Sequence, residues 1–233
     1  MLARGPAVPV FETVRVEDGR IRLWDRHLLR LRRAGASGRQ LTAVRALADV
    51  YRRDPRATIA RFDVVRGEPV AARARAIAAA TPVRLVTVPG YDPHDRGREQ
   101  KRADRTWVQA GERGATVAGG DEPLFAATGE RDEVLPSDRI GETSRANLFV
   151  IDATGRVATP AVAGLLPGVT RSWALEAARA REIPLHVGDL VTARAAFLTT
   201  AGRGIVPVAA IDGRALGRDP LIGDLHGAWL RLP

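Results

Sequence analysis

GETSRANLFV, residues 141–150, brings a carboxylate to the start of an apolar run. Asn147 to Ile151 reads as a buried strand. It passes through a turn at Ala153-Thr154-Gly155 into a second strand, so NLFVIDATGRVATP is expected to be a hairpin. Glu142 stands just before it. A carboxylate at the margin of a core needs a cation or an N–H donor to face it. That partner is either a structural arginine, with Arg145 nearest in sequence, or a group outside the chain, such as a protonated pyridine nitrogen.

Downstream, LLPGVTR (165–171) is a Pro-Gly turn that opens directly into a helix at Val169-Thr170. The free N–H groups of that first turn, with the Thr170 hydroxyl, form an anion site suited to a phosphate. A glycine before a helix is by itself only a turn. FLTTAG (197–202) ends a strand with two hydroxyls, which makes Thr200 a further phosphate contact or a plain strand end. Upstream, RHLLR sets Arg30 three residues after His27 on one helical face. Arg30 is either a phosphate clamp or an exposed helix arginine.

Between these lies GREQKRADR (97–105), which holds Lys101, the only lysine. Arginine supplies the other 35 of the 36 basic residues. A guanidinium keeps its proton, whereas an ε-amine can lose it and attack a carbonyl. The plain reading of Lys101 is a solvated cation. Taken together, an amine, a carboxylate and a phosphate cradle are the parts that hold pyridoxal phosphate. The lysine forms a Schiff base, the carboxylate keeps the ring nitrogen protonated, and the helix start with an arginine neutralises the phosphate.

These stretches occur in a fixed order: FETVRVEDGR, RHLLRL, a lysine near residue 100, ETSRANLF, LLPGVTR and TTAGRGIVPV. In that order the sequence resembles the class IV aminotransferases, the fold type IV pyridoxal-phosphate enzymes. The resemblance implies Lys101 as the Schiff-base lysine, Glu142 as the pyridine partner, and Arg30, Val169, Thr170 and Thr200 as phosphate ligands. It also implies a homodimer. The spacing of Lys101 to Arg105 is similar to the 4-amino-4-deoxychorismate lyase branch, which releases p-aminobenzoate and pyruvate for folate biosynthesis. An amino-acid aminotransferase of branched-chain or D-amino-acid type is the alternative, and a non-catalytic anion- or RNA-binding relative is a second. The chain departs from the family pattern in its short lead before Phe11, in Gln100 where a histidine is typical, and in a long segment before Glu142. TGERDEVLPSDRIG is expected to be an extended loop over a pocket or a neighbouring subunit.

Composition narrows the field. The chain has 233 residues, 45% of them hydrophobic, and no cysteine. Disulfides and thiolate chemistry are therefore excluded. No run of about 18 apolar residues offers a membrane span, and no signal peptide is expected at the N-terminus. A cytoplasmic protein is the expectation. The net charge of +9 comes from arginines scattered beside acids, not from a basic run. Nucleic acid is not expected as a partner. His27, His94, His186 and His226 are isolated and lack metal-ligand spacing. Ser144 has no nucleophile elbow around it.

The mixture of strands and helices without a regular βαβ repeat predicts an α+β fold. A hairpin turning at Glu17-Asp18-Gly19 leads into a helix with Asp25 as N-cap and Leu28, Leu29 and Leu31 on its inner face. A second amphipathic helix and strands at ATIARFDVV and PVRLVTV follow. The expected organisation is a small α/β domain over 1–90, a linker over 91–99 and a larger cofactor-binding domain with a β-barrel-like core over 100–233.

Overall fold

Val10, Val14 and Val16 alternate with outward residues in β1 (Val10–Glu17), the pattern of a half-buried strand. Asp18 and Gly19 both take positive φ, which closes the hairpin to β2 (Arg20–Ile21). The computed structural model describes residues 8–56 and 58–233. Helices α1 (Trp24–Arg33) and α2 (Gly38–Arg52) follow, then β3 (Thr58–Val64) and β4 (Ala71–Ala76). The strands form an antiparallel sheet in the order β2-β1-β3-β4. Its helix-facing side buries Val14, Val16, Phe62 and Val64 against Leu28, Leu31, Leu41 and Val44. Ser37 caps α2 through a reciprocal bond pair with Gln40.

The chain then crosses into a second sheet. Its elements are β5 (Val83–Pro89), α3 (Thr106–Val117), β6 (Glu122–Ala126), β7 (Ile140–Thr143), β8 (Asn147–Ile151), β9 (Val157–Pro160), α4 (Val169–Ala177), β10 (Arg181–Ile183), β11 (Ala195–Thr200), β12 (Gly204–Ile211), β13 (Arg214–Ala215) and α5 (Pro220–Leu230). The nine strands run β10-β9-β8-β11-β12-β5-β6-β7, with β13 on β12. This sheet curls into a half-barrel. Its concave core gathers Leu85, Leu124, Ile140, Leu148, Leu198 and Val206. The outer face packs Phe149 and Phe197 under α4 and α5, with Trp229 fully buried. The architecture is the expected α+β arrangement.

The place of β5, the cap of α1 and the face of Leu29 differ from expectation, and two loop segments gain detail. β5 is hydrogen-bonded between β12 and β6, so the chain leaves the small sheet at residues 77–82 and not at residue 90. Leu23, in the left-handed region and with no side-chain cap bond, is the N-cap of α1, and Asp25 sits in the first turn. Leu29 is 44% exposed and not on the inner face. The segment before Glu142 folds back on its own chain. The N–H groups of Val187 and Gly188 donate to the Asp138 and Pro136 carbonyls, and Arg131 pairs with Asp138 at 2.5 Å. Residues 91–99 hold a short 3-10 turn, Arg96–Glu99, and Tyr91 Oη donates to the Ala163 carbonyl at 2.5 Å.

Candidate active site

β1 pairs with β2 only at its far end, which leaves the edge at Val10–Phe11 open. The lysine segment fills that edge. The Phe11 N–H donates to the Lys101 carbonyl at 2.9 Å, Val10 bridges Arg102, and the Ala103 N–H donates to the Pro9 carbonyl at 2.9 Å. This clamp fixes the backbone of Lys101 between the two sheets. Its Nζ lies 5.2 Å from the centre of the Phe11 ring. Burial, followed by the charge of Arg30, pushes the amine down to about 8.

Glu12 follows Phe11 and points the other way, into the apolar side of the small sheet. It is fully buried. Arg30 answers it from α1 through a two-pronged contact: Nε to Oε2 at 2.9 Å and Nη2 to Oε1 at 2.5 Å. His27, one helical turn earlier, places Nδ1 3.1 Å from Oε1. Burial opposes ionisation of Glu12, but Arg30 and His27 outweigh it and hold the carboxyl well below the usual range. Burial depresses His27, against the pull of Glu12. The remaining edge of Arg30 donates through Nη1 to the Pro167 carbonyl at 3.3 Å, beside the start of α4.

Glu142 lies at the end of β7. Its Oε1 accepts the Leu166 N–H at 3.1 Å and its Oε2 accepts Asn147 Nδ2 at 2.8 Å. Arg145 pairs with Glu112 instead, so the nearest arginine in sequence is not the partner. Burial with no paired cation raises Glu142 to about 7, against the Leu166 hydrogen bond and the charges of Lys101, Arg98 and Arg171. Asn147 also donates to the Leu166 carbonyl at 3.0 Å, so one amide ties Glu142 to the loop that launches α4. A Cβ at Gly168 would stand 2.1 Å from Asn147 Oδ1, so a larger residue there displaces that amide. Gly168 caps α4 with no side-chain bond, and Thr170 in the first turn is buried. The N–H groups of that turn are the positive end of the helix.

Lys101, Arg30, Glu12, Gly168 and Val169 line one cleft of about 720 Å³. Glu142, Thr170 and Thr200 are not among its lining residues. Lys101 and Glu142 nonetheless lie close enough for each charge to act on the other. The Thr200 hydroxyl accepts the N–H groups of Gly202 (3.2 Å) and Arg203 (3.3 Å), which closes the β11–β12 turn and leaves its proton free to donate. Arg203 reaches Glu122 at 2.8 Å, and Glu122 accepts the Thr143 hydroxyl at 2.9 Å, so that turn is tied to the strand carrying Glu142. The sequence reading missed Glu12 and Asn147 as site residues. Glu12 left a signal, an acid in register with Val10, Val14 and Val16 on the apolar side of β1. Asn147 left none beyond its place at the head of a buried strand.

The profile of the family described as amino-transferase class IV matches residues 64–211, well over half of the sequence. The chain belongs to this family. Class IV aminotransferases are pyridoxal-phosphate-dependent enzymes, and this chain is one of them by family membership. No curated protein matches the sequence. Solved structures share the fold. A candidate 4-amino-4-deoxychorismate lyase from Legionella pneumophila is 23% identical with a TM-score of 0.78, covering 96% of this chain and 90% of its own. The branched-chain aminotransferase of Thermoproteus uzoniensis is 20% identical with a TM-score of 0.80, covering 96% and 84%. A hypothetical aminotransferase from Mycobacterium tuberculosis in its PLP-bound form is 22% identical with a TM-score of 0.78, covering 96% and 89%. At these identities the likeness speaks for the fold alone. The site of this class IV aminotransferase suits the cofactor's chemistry. It offers a half-buried amine shifted toward its neutral form, a carboxylate lacking a cation, and an uncapped helix start beside an arginine. No described group of three or more His, Cys, Asp or Glu could hold a metal ion, and no described helix is long and apolar enough to cross a membrane.

Proposed function

We propose that the chain binds pyridoxal 5'-phosphate at this site and acts as a 4-amino-4-deoxychorismate lyase, releasing p-aminobenzoate and pyruvate. The observation that carries the cofactor reading is the pairing of a sole lysine, depressed to about 8, with a cation-free carboxylate raised to about 7. Lys101 would hold the cofactor covalently, and Glu142 would keep the proton on its ring nitrogen. Arg30, the first turn of α4 at Val169 and Thr170, and the Thr200 hydroxyl would neutralise its phosphate. Bound there, the cofactor supplies an electron-withdrawing ring that stabilises negative charge on the substrate. The Lys101 amine, lowered to about 8, is suited to moving a proton at the substrate carbon. Arg105, four residues after Lys101, supports the lyase over the aminotransferase reading.

The proposal includes a homodimer in the cytoplasm with no nucleic-acid or membrane partner. The deciding experiment incubates the protein, loaded with pyridoxal phosphate, with aminodeoxychorismate and separately with branched-chain and D-amino acids. Formation of p-aminobenzoate and pyruvate supports the lyase. Keto acid from the amino acids alone assigns the aminotransferase instead. Absence of any product with the cofactor bound would leave the non-catalytic anion-binding reading standing.

A further inference from the structure

Glu122 is a carboxylate in a strand that is buried at every position, β6, which lies between β5 and β7. A charge in such a place persists only where its oxygens are met. Here both are. Oε2 accepts the Thr143 hydroxyl at 2.9 Å, and Oε1 accepts Arg203 Nη2 at 2.8 Å. The two donors come from different turns. Thr143 begins the β7–β8 turn, and its oxygen closes that turn by accepting the N–H groups of Ala146 (3.0 Å) and Arg145 (3.3 Å). Arg203 belongs to the β11–β12 turn, which the Thr200 oxygen closes in the same manner. Asn147 and Thr199, which border the two turns, pair across β8 and β11, so both turns lie at one end of the half-barrel.

One of these turns follows directly on Glu142, and the other carries Thr200. Arg203 joins them. Its backbone N–H bonds the Thr200 hydroxyl oxygen, and its guanidinium bonds the carboxylate that also takes the Thr143 hydroxyl. A buried ion pair adds little net stability over an apolar replacement, because the cost of taking both charges out of water offsets their attraction. What it does supply is direction, since a guanidinium and a carboxylate meet in few geometries. Without the carboxylate, Arg203 loses this anchor, and the Thr200 turn is left to its own hydrogen bonds.

We infer that Glu122 is a positioning residue, which through Arg203 holds the Thr200 hydroxyl in place to meet the cofactor's phosphate. The inference rests on the proposed reading of Thr200 as a phosphate contact. Glu122 is not among the residues lining the cleft, so it acts through Arg203 and Thr200.

The test compares pyridoxal phosphate with pyridoxal, which lacks only the phosphate. Dissociation constants are measured by equilibrium dialysis on the whole chain freed of cofactor, for the wild type, Thr200→Val, Glu122→Gln and the combined variant. Gln keeps an oxygen for the Thr143 hydroxyl and loses the charge that holds Arg203. Thr200→Val should shrink the advantage of the phosphorylated form about twofold to tenfold, the worth of one hydrogen bond. Glu122→Gln should shrink it by a similar factor. The combined variant should lose no more than Thr200→Val alone, because both changes act through one hydroxyl. A merely structural role would lower both affinities together and leave their ratio unchanged. Should Glu122→Gln alone fail to fold, Glu122→Gln/Arg203→Met removes both charges, leaves neither buried without its partner and should show the same narrowing. A ratio that narrows in Thr200→Val but stays at the wild-type value in the Glu122 variants overturns this assignment alone, as do additive losses in the combined variant. A ratio unchanged in Thr200→Val overturns the phosphate reading of Thr200 beneath it.

Discussion

Glu12 is a carboxylate that the fold cannot leave alone. It is fully buried, Arg30 contacts both of its oxygens and His27 lies against one of them. Replacing Glu12 with Gln leaves a buried guanidinium uncompensated, a change that costs about 3–5 kcal/mol in typical buried pairs. Arg30 would also lose the contact that aims it at the Pro167 carbonyl. Glu12→Gln should therefore lower the melting temperature and weaken pyridoxal-phosphate binding about tenfold or more. Equilibrium dialysis of the folded variant checks this, and an affinity equal to wild type would show that Glu12 serves the core alone. Glu142 makes a prediction in pH. Its carboxyl sits near 7 in the fold against 4.5 for the free group. Between those values the folded state binds more protons than the unfolded state, so the stability of the cofactor-free protein falls as pH rises through that window. The slope from this group is at most about 1.4 kcal/mol per pH unit. Glu142→Gln should flatten it, as read by denaturant melts from pH 4.5 to 7.5.

At the level of elements, the start of α4 concentrates the demands. Gly168 has φ −63, which any residue adopts, so its constraint is space and not backbone freedom. A methyl group there meets Asn147 Oδ1 and pushes the amide that holds both Glu142 and Leu166. Gly168→Ala should cost about 1–3 kcal/mol, as overpacking does, and weaken cofactor binding with it. A variant melting like the wild type would show that the loop can yield. The elements also show what a sequence can disclose. The hairpin at residues 153–155, the amphipathic α2 and the Pro-Gly entry to α4 were legible because their signals lie within a few neighbouring residues. The home of β5 was not, since it depends on Val208 and Glu122, which lie far along the chain. The contact between Glu12 and Arg30 was hidden for the same reason: each looked ordinary in its own segment, and only packing β1 against α1 makes them a pair. Lys101 and Arg30 stood out individually, but their proximity follows from the lysine segment closing the open edge of β1.

At the scale of the whole molecule, a small helix-covered sheet is joined to a curled nine-stranded sheet, and the sole lysine lies where the two meet. Exposed Val117 and Val191 lie on the larger unit. Sedimentation at micromolar concentration is expected to show a dimer, and a strictly monomeric species would count against that part of the proposal. The central claim is narrower. On the proposed function, the chain keeps one side-chain amine because this position needs a group that can give up its proton and bond to an aldehyde. A single measurement tests this: saturate the wild-type protein with pyridoxal phosphate, reduce it with borohydride, digest it and weigh the peptides. The account predicts a pyridoxyl adduct on the peptide containing Lys101, and its loss in Lys101→Arg. Since no other lysine exists, no neighbouring side-chain amine can mimic the result. An unmodified Lys101 peptide from the saturated, reduced protein would contradict the account.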